Sequence, residues 1–123
     1  RENILLAGAF LGMDDAVVEG VAAGAEGWIA GLVNAFPEES VALFEAAARG
    51  DKVQARELYN WFLPLLRLDT VPKFVQYIKW VQAEVGRGTY VVRGPRLPLE
   101  AREIENVKGI LAQALQTRPS VRR

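Results

Sequence analysis

Ile4-Leu5-Leu6-Ala7-Gly8-Ala9-Phe10 and Gly27-Trp28-Ile29-Ala30-Gly31-Leu32-Val33 are the two stretches that decide the fold. Each is short, apolar and bounded by turn-forming residues, the pattern of a strand buried on both faces. Residues 14–24, between them, are enough for one short helix rich in Ala, Val and Gly. Strand, helix, strand at this spacing predicts a βαβ unit whose strands run parallel through a right-handed crossover. A parallel sheet needs cover on both faces, and two strands are too few to sustain one. Beyond Val33 the pattern offers only helices. The expectation is therefore an α/β chain, dominated by helix, that forms the end of a larger α/β protein.

Working outward, Asp14 reads as an N-cap for the first helix, with Asp15 favouring the positive end of its dipole. Pro37 suits the first position of the next helix, with Glu38 and Glu39 in its first turn. That helix should bury Val41, Phe44 and Ala48 and stop at Arg49-Gly50. Asp51 reads as the cap of a third helix carrying Val53, Leu58, Phe62 and Leu65, with a bend at Pro64. Asp69-Thr70 should cap a fourth with an apolar stripe of Val71, Phe74, Val75, Ile78, Val81 and Val85. Residues 87–99, with Pro95 and Pro98, read as an extended strap. Residues 100–116 read as an amphipathic helix burying Ile104, Val107, Leu111 and Ala114, and 117–123 as a frayed basic tail. The expected division is 1–36 for the βαβ unit, 37–116 for the helices and 117–123 for the tail.

Composition narrows the function classes. With 123 residues, half of them apolar, the chain has one core's worth of sequence and is too apolar for disorder. Fifteen basic and fifteen acidic residues cancel, which argues against nucleic acid or an anionic membrane as partner. No apolar run approaches the roughly 18 residues of a membrane span. The opening Arg1-Glu2-Asn3 shows no signal-peptide pattern and fits an excised piece of a longer chain; a cytoplasmic setting is expected. The absence of Cys and His removes thiol nucleophiles, imidazole catalysis and the usual zinc sites.

The phrases Gly12-Met13-Asp14-Asp15, Ala23-Gly24-Ala25-Glu26-Gly27-Trp28-Ile29-Ala30-Gly31 and Val33-Asn34 come in a particular order. Ala48-Arg49-Gly50-Asp51, Val71-Pro72-Lys73, Ile78-Lys79 and Pro95-Arg96-Leu97-Pro98-Leu99 follow them. The ordered set, covering nearly the whole chain, resembles the C-terminal part of the dihydrodipicolinate synthase and N-acetylneuraminate lyase superfamily. The resemblance implies the last two parallel strands of a (β/α)₈ TIM barrel followed by a helical C-terminal extension. It implies class I lyase or aldolase chemistry, in which an active-site lysine forms a Schiff base with pyruvate or another 2-oxo acid. The protonated imine draws electrons from the adjacent carbon, so that a C–C bond can be made or broken. The lysine, a proton-relaying tyrosine and a carboxylate-binding loop belong to earlier strands of the family and match nothing here. No catalytic residue, cofactor or metal site is therefore expected in this chain. The implied partners are the remainder of the barrel, a 2-oxo acid and further copies in a homo-oligomer.

The resemblance also marks candidate substrate-binding residues. Asp14 and Asp15 match an acidic pair that contacts substrate hydroxyls in sialic-acid-type lyases; the structural alternative is the helix cap. Two carboxylates without further ligands do not make a cation site. Ile29 matches a pocket-wall position near the imine, and Gly31 a position where some lyases carry a substrate-bonding serine; the alternative for both is barrel core. Gly12 permits close approach of backbone to substrate, or simply a tight turn. Asn34 reads as a backbone bond or a cap. Lys52, Lys73, Lys79 and Lys108 read as solvated or acid-paired, and Arg93, Arg96 and Arg102 as an ion-pair surface with Glu100, Glu103 and Glu105. The reading from another class is a stand-alone helical module that dimerises through its sheet edge and helix stripes, without enzymatic activity. The apolar, unguarded strands argue against it.

Overall fold

The computed structural model describes residues 8–121. Two short strands, β1 (Phe10–Leu11) and β2 (Gly27–Trp28), pair in parallel, Phe10 opposite Gly27 and Leu11 opposite Trp28. Helix α1 (Val17–Ala22) lies between them in sequence, entered through a 3₁₀ turn at Asp14–Ala16. A second 3₁₀ turn, Leu32–Asn34, leads into α2 (Pro37–Ala48) and α3 (Lys52–Leu66). A third, Arg67–Thr70, precedes α4 (Phe74–Glu84), and α5 (Ala101–Gln116) follows the extended segment. Helices dominate, and the one sheet described is the two-stranded parallel pair. No helix among the described residues is long and apolar enough to cross a membrane.

The βαβ reading is borne out in kind and corrected in extent. Residues 4–7 of the first expected strand lie outside the described residues; the pairing observed runs one residue beyond Phe10. Flanking bonds from Glu26 N–H to Ala9 and from Ile29 N–H to Leu11, each 2.9 Å, extend the ladder slightly. The second strand stops at Trp28, not Val33, because the chain turns helical at Gly31 (φ −74°, ψ −47°). The amides of Gly31 and Leu32, which a strand would offer to a neighbour, bond to the Asp14 carboxylate instead. Nor is the pair covered on both faces: Phe10 in β1 is 67 % exposed, and Ile29, the residue after β2, is 72 % exposed.

The helices follow local chemistry closely. Pro37 takes the first helical position of α2, where its missing N–H costs nothing. The Asp51 side chain accepts from Gln54 N–H (3.1 Å) and caps α3. Gly50 closes α2 at φ +74°, a left-handed conformation that a side chain resists. The carboxylate of Glu103 accepts from Glu100 N–H (2.7 Å) at the start of α5.

Which faces are buried departs from the expected stripes in places. In α2 the buried residues are Glu39, Ser40, Leu43 and Ala46; Val41 is exposed and Phe44 half-buried. Both help wall a cleft of about 370 Å³ with Trp28, Ala30 and Val33. Val53 and Phe74 are exposed, while Leu58, Phe62, Leu65, Ile78 and Val81 are buried as the 3.6-residue period requires. Ile104 in α5 is half-buried, with Val107, Leu111 and Ala114 beneath it in the core.

A single apolar cluster joins the βαβ end to the helices. Val17 and Leu32 share it with Phe36, Leu43, Phe62, Val81 and Val107. At its centre Phe36 stands edge-on to Trp61 (5.9 Å, 86°) and to Phe62 (5.8 Å, 80°), while Trp61 and Phe62 stack at 5.1 Å. Such aromatic pairs contribute about 0.5–1.5 kcal/mol each beyond the area they bury. The tail expected to fray is tied down over its first residues. Arg118 Nε donates to buried Glu39 at 2.6 Å and its guanidinium lies 5.3 Å from the Phe36 ring centre.

Candidate functional site

The ends of β1 and β2 lead into the loops that carry the candidate residues. After Leu11 the chain passes exposed Gly12 and Met13 and turns into the 3₁₀ segment at Asp14. Asp14 is wholly buried. Its Oδ1 accepts from Gly31 N–H (3.1 Å) and its Oδ2 from Leu32 N–H (2.8 Å). Burial pushes its carboxyl up, against the two amides that favour the charged form; the nearby charge of Asp69 pushes the same way as burial. The N-cap expectation for Asp14 is therefore corrected. It makes no cap bond to its own helix and instead holds the start of the 3₁₀ turn after β2. The backbone there offers two N–H groups to one carboxylate at the start of the 3₁₀ turn.

Asp15 is half-buried, and its carbonyl accepts from the Tyr59 hydroxyl. Tyr59 also lies 2.9 Å from Glu19 Oε2, and burial, with that carboxylate beside it, pushes its phenol well above the ordinary value. Gly31 is half-buried with both polar backbone groups engaged: its N–H by Asp14, its carbonyl by Asn34 Nδ2 at 3.0 Å. Asn34 thus takes the backbone-bonding role expected of it. A Cβ on Gly31 would stand 2.6 Å from Ile78 Cδ1, so a side chain there, serine included, displaces α4 packing. Ile29 is exposed at the end of β2. The structure thus joins Asp14 and Gly31 directly, ties the Asp15 carbonyl to Tyr59 of α3, and leaves Gly12 and Ile29 at the surface.

Lysine chemistry is unfavourable in the best-defined case. Lys73 donates to Glu103 (2.7 Å), and that bond raises its pKa, the opposite of what a neutral nucleophilic amine requires. Lys73 and Lys108 are acid-paired as expected, with Glu103 and with Glu105 (3.8 Å); the ion pairs described give these glutamates lysine partners in place of Arg93, Arg96 and Arg102. Asp69 caps no helix; its Oδ2 accepts from Asp14 N–H at 3.3 Å. The contacts of Asp69 with Asp14 and of Tyr59 with Asp15 are what sequence reading missed. The partners lie 55 and 44 positions apart, and no local signal links them. Among the described residues no group of three or more acidic side chains is placed to hold a metal ion.

The profile of the dihydrodipicolinate synthetase family matches residues 3–114. The chain belongs to that family. The 4-hydroxy-tetrahydrodipicolinate synthase of Chlorobium chlorochromatii is 32 % identical over 90 residues, 73 % of this chain and 30 % of that protein. The synthase of the same name from Staphylococcus haemolyticus is 36 % identical over 94 residues, 74 % of this chain and 30 % of its own. A solved dihydrodipicolinate synthase from Oceanobacillus iheyensis superposes with a TM-score of 0.80 at 25 % identity. That match covers 89 % of this chain and 38 % of the synthase. This family member therefore spans about a third of the length of the relatives it matches, and its two parallel strands among helices are consistent with part of a barrel.

Proposed function

We propose that the chain forms the last two strands and the helical C-terminal extension of a Schiff-base-forming 2-oxo-acid lyase. Residues 1–36 close the barrel and residues 37–116 brace it from outside. In this reading Ile29, Asp15 and Gly12 wall one side of the pocket, and Gly31 with Asp14 shapes the loop between them. The observation that supports it best is the parallel β1–β2 pair, packed on the core through Leu11 and Trp28 but exposed at Phe10, in a chain that covers 38 % of a synthase at a TM-score of 0.80. Such a pair lacks the cover that parallel strands need until neighbouring strands and helices supply it. The imine-forming lysine and the proton relay then come from the rest of the barrel, and the chain alone carries out no lyase reaction. Further copies in a homo-oligomer and a cytoplasmic setting belong to the same proposal.

Borohydride reduction in the presence of pyruvate, read by intact mass, tests this. The 13.6 kDa chain alone should stay free of adduct. A single reduced pyruvate on it, with turnover, would sink the proposal; an adduct only on a larger polypeptide containing this chain would support it.

A further inference from the structure

We infer that Asp69, on the helical side of the chain, sets the conformation of the turn after β2 by acting through Asp14. The contacts form one continuous series. Asp69 Oδ2 accepts from Asp14 N–H (3.3 Å), and the Asp14 carboxylate accepts from Gly31 and Leu32 N–H (3.1 and 2.8 Å). Gly31 in turn accepts from Asn34 Nδ2. Tyr59 of α3 bonds the neighbouring Asp15 carbonyl, but the bond that Asp69 accepts is the one by which the helical region holds Asp14 itself, and it ties that residue to the third 3₁₀ turn.

Gly31 is where the parts converge. A Cβ there would stand 3.5 Å from Asp14 Oδ2, 3.6 Å from Asp69 Oδ1 and 2.6 Å from Ile78 Cδ1. Two carboxylates and an apolar methyl from three separate elements thus enclose one glycine. The two carboxylates repel each other across this space, a cost that an asparagine at position 69 would avoid while still offering an oxygen to Asp14 N–H. Asp14 and Asp69 are positioning residues: neither need touch substrate for the turn beside Ile29 to depend on them. The consequence for a pocket rests on the proposal that Ile29 walls it and that Gly31 with Asp14 shapes the loop beside it; the series of bonds does not.

Amide hydrogen exchange on the intact, ¹⁵N-labelled chain tests the inference, comparing wild type, D69A and D69N. Local opening is read at Gly31 and Leu32, with Leu58 in α3 and Val81 in α4 reporting global opening. D69A should speed exchange at Gly31 and Leu32 by about ten-fold, the scale of one lost hydrogen bond to a charged acceptor. It should leave Leu58 and Val81 unchanged, and D69N should restore slow exchange at both sites. Unchanged exchange in D69A overturns the inference, as does equal acceleration at Leu58, or D69N exchanging as fast as D69A. Should D69A not fold, D69S, polar but too short to reach Asp14 N–H, is read in the same way. Borohydride trapping bears on the lyase proposal and exchange on the series of bonds, so either can fail alone.

Discussion

Replacing Arg118 by Met should destabilise the chain by about 2–3 kcal/mol, although the residue lies in a tail that its composition marks as dispensable. Glu39 is only 2 % exposed, and its Oε2 is buried without a hydrogen-bond partner. Arg118 Nε, 2.6 Å from Oε1, is thus the one cation that answers a buried carboxylate among the ion pairs described. At an effective dielectric near 20, two unit charges about 4 Å apart attract by about 4 kcal/mol. The Arg118 side chain is 41 % exposed, so solvent screening reduces this to about 2 kcal/mol. Its position over the Phe36 ring adds about 0.5–1 kcal/mol. The loss is in large part the penalty of leaving Glu39 uncompensated. Urea unfolding at neutral pH, followed by tryptophan emission from Trp61 against Phe36 and Phe62, measures it. The double variant E39Q/R118M should be more stable than the sum of its single variants implies, by about 2 kcal/mol. Because Glu39 is buried, most of the effect should survive about 1 M salt, where surface pairs are screened. An R118M variant within about 0.5 kcal/mol of wild type, or strict additivity in the cycle, refutes the reasoning.

Three further outcomes are expected. The Asp14 carboxyl is raised above its ordinary 3.8, so just above that pH the folded chain binds more proton there than the unfolded chain does; the stability of wild type relative to D14N should fall as pH rises above about 4 in denaturant titrations, and a constant or growing difference contradicts the assignment. G31A should be destabilised by about 1–3 kcal/mol through its clash with Ile78 Cδ1, and G31A/I78V, which withdraws that methyl, should recover much of the loss; thermal melts of both variants decide it. V53T should unfold within about 0.5 kcal/mol of wild type, whereas L58A on the same helix should lose about 2–5 kcal/mol, and equal effects would contradict the burial of α3.

Much of this protein was legible locally because the forces involved are local. Pro37, Asp51 and Gly50 mark helix ends through groups within four residues of each other, and the spacing of Leu58, Phe62 and Leu65 records which face of α3 is apolar. The parallel pairing of β1 and β2 followed from strand character and the length between them. The sequence by itself thus determined the helices, the βαβ order and the family.

Only the tertiary structure decided where β2 ends, which partner each carboxylate takes and which faces stay open. Asp14 reads as a cap for its own helix, yet its oxygens bind amides 17 and 18 residues away, and its own amide reaches Asp69. Glu39 and Arg118 look like two surface charges until folding brings them together 79 residues apart. A charged or polar side chain carries no periodic mark of its partner. Its role depends on which unsatisfied group the fold sets beside it, and that is fixed only when distant elements share one core.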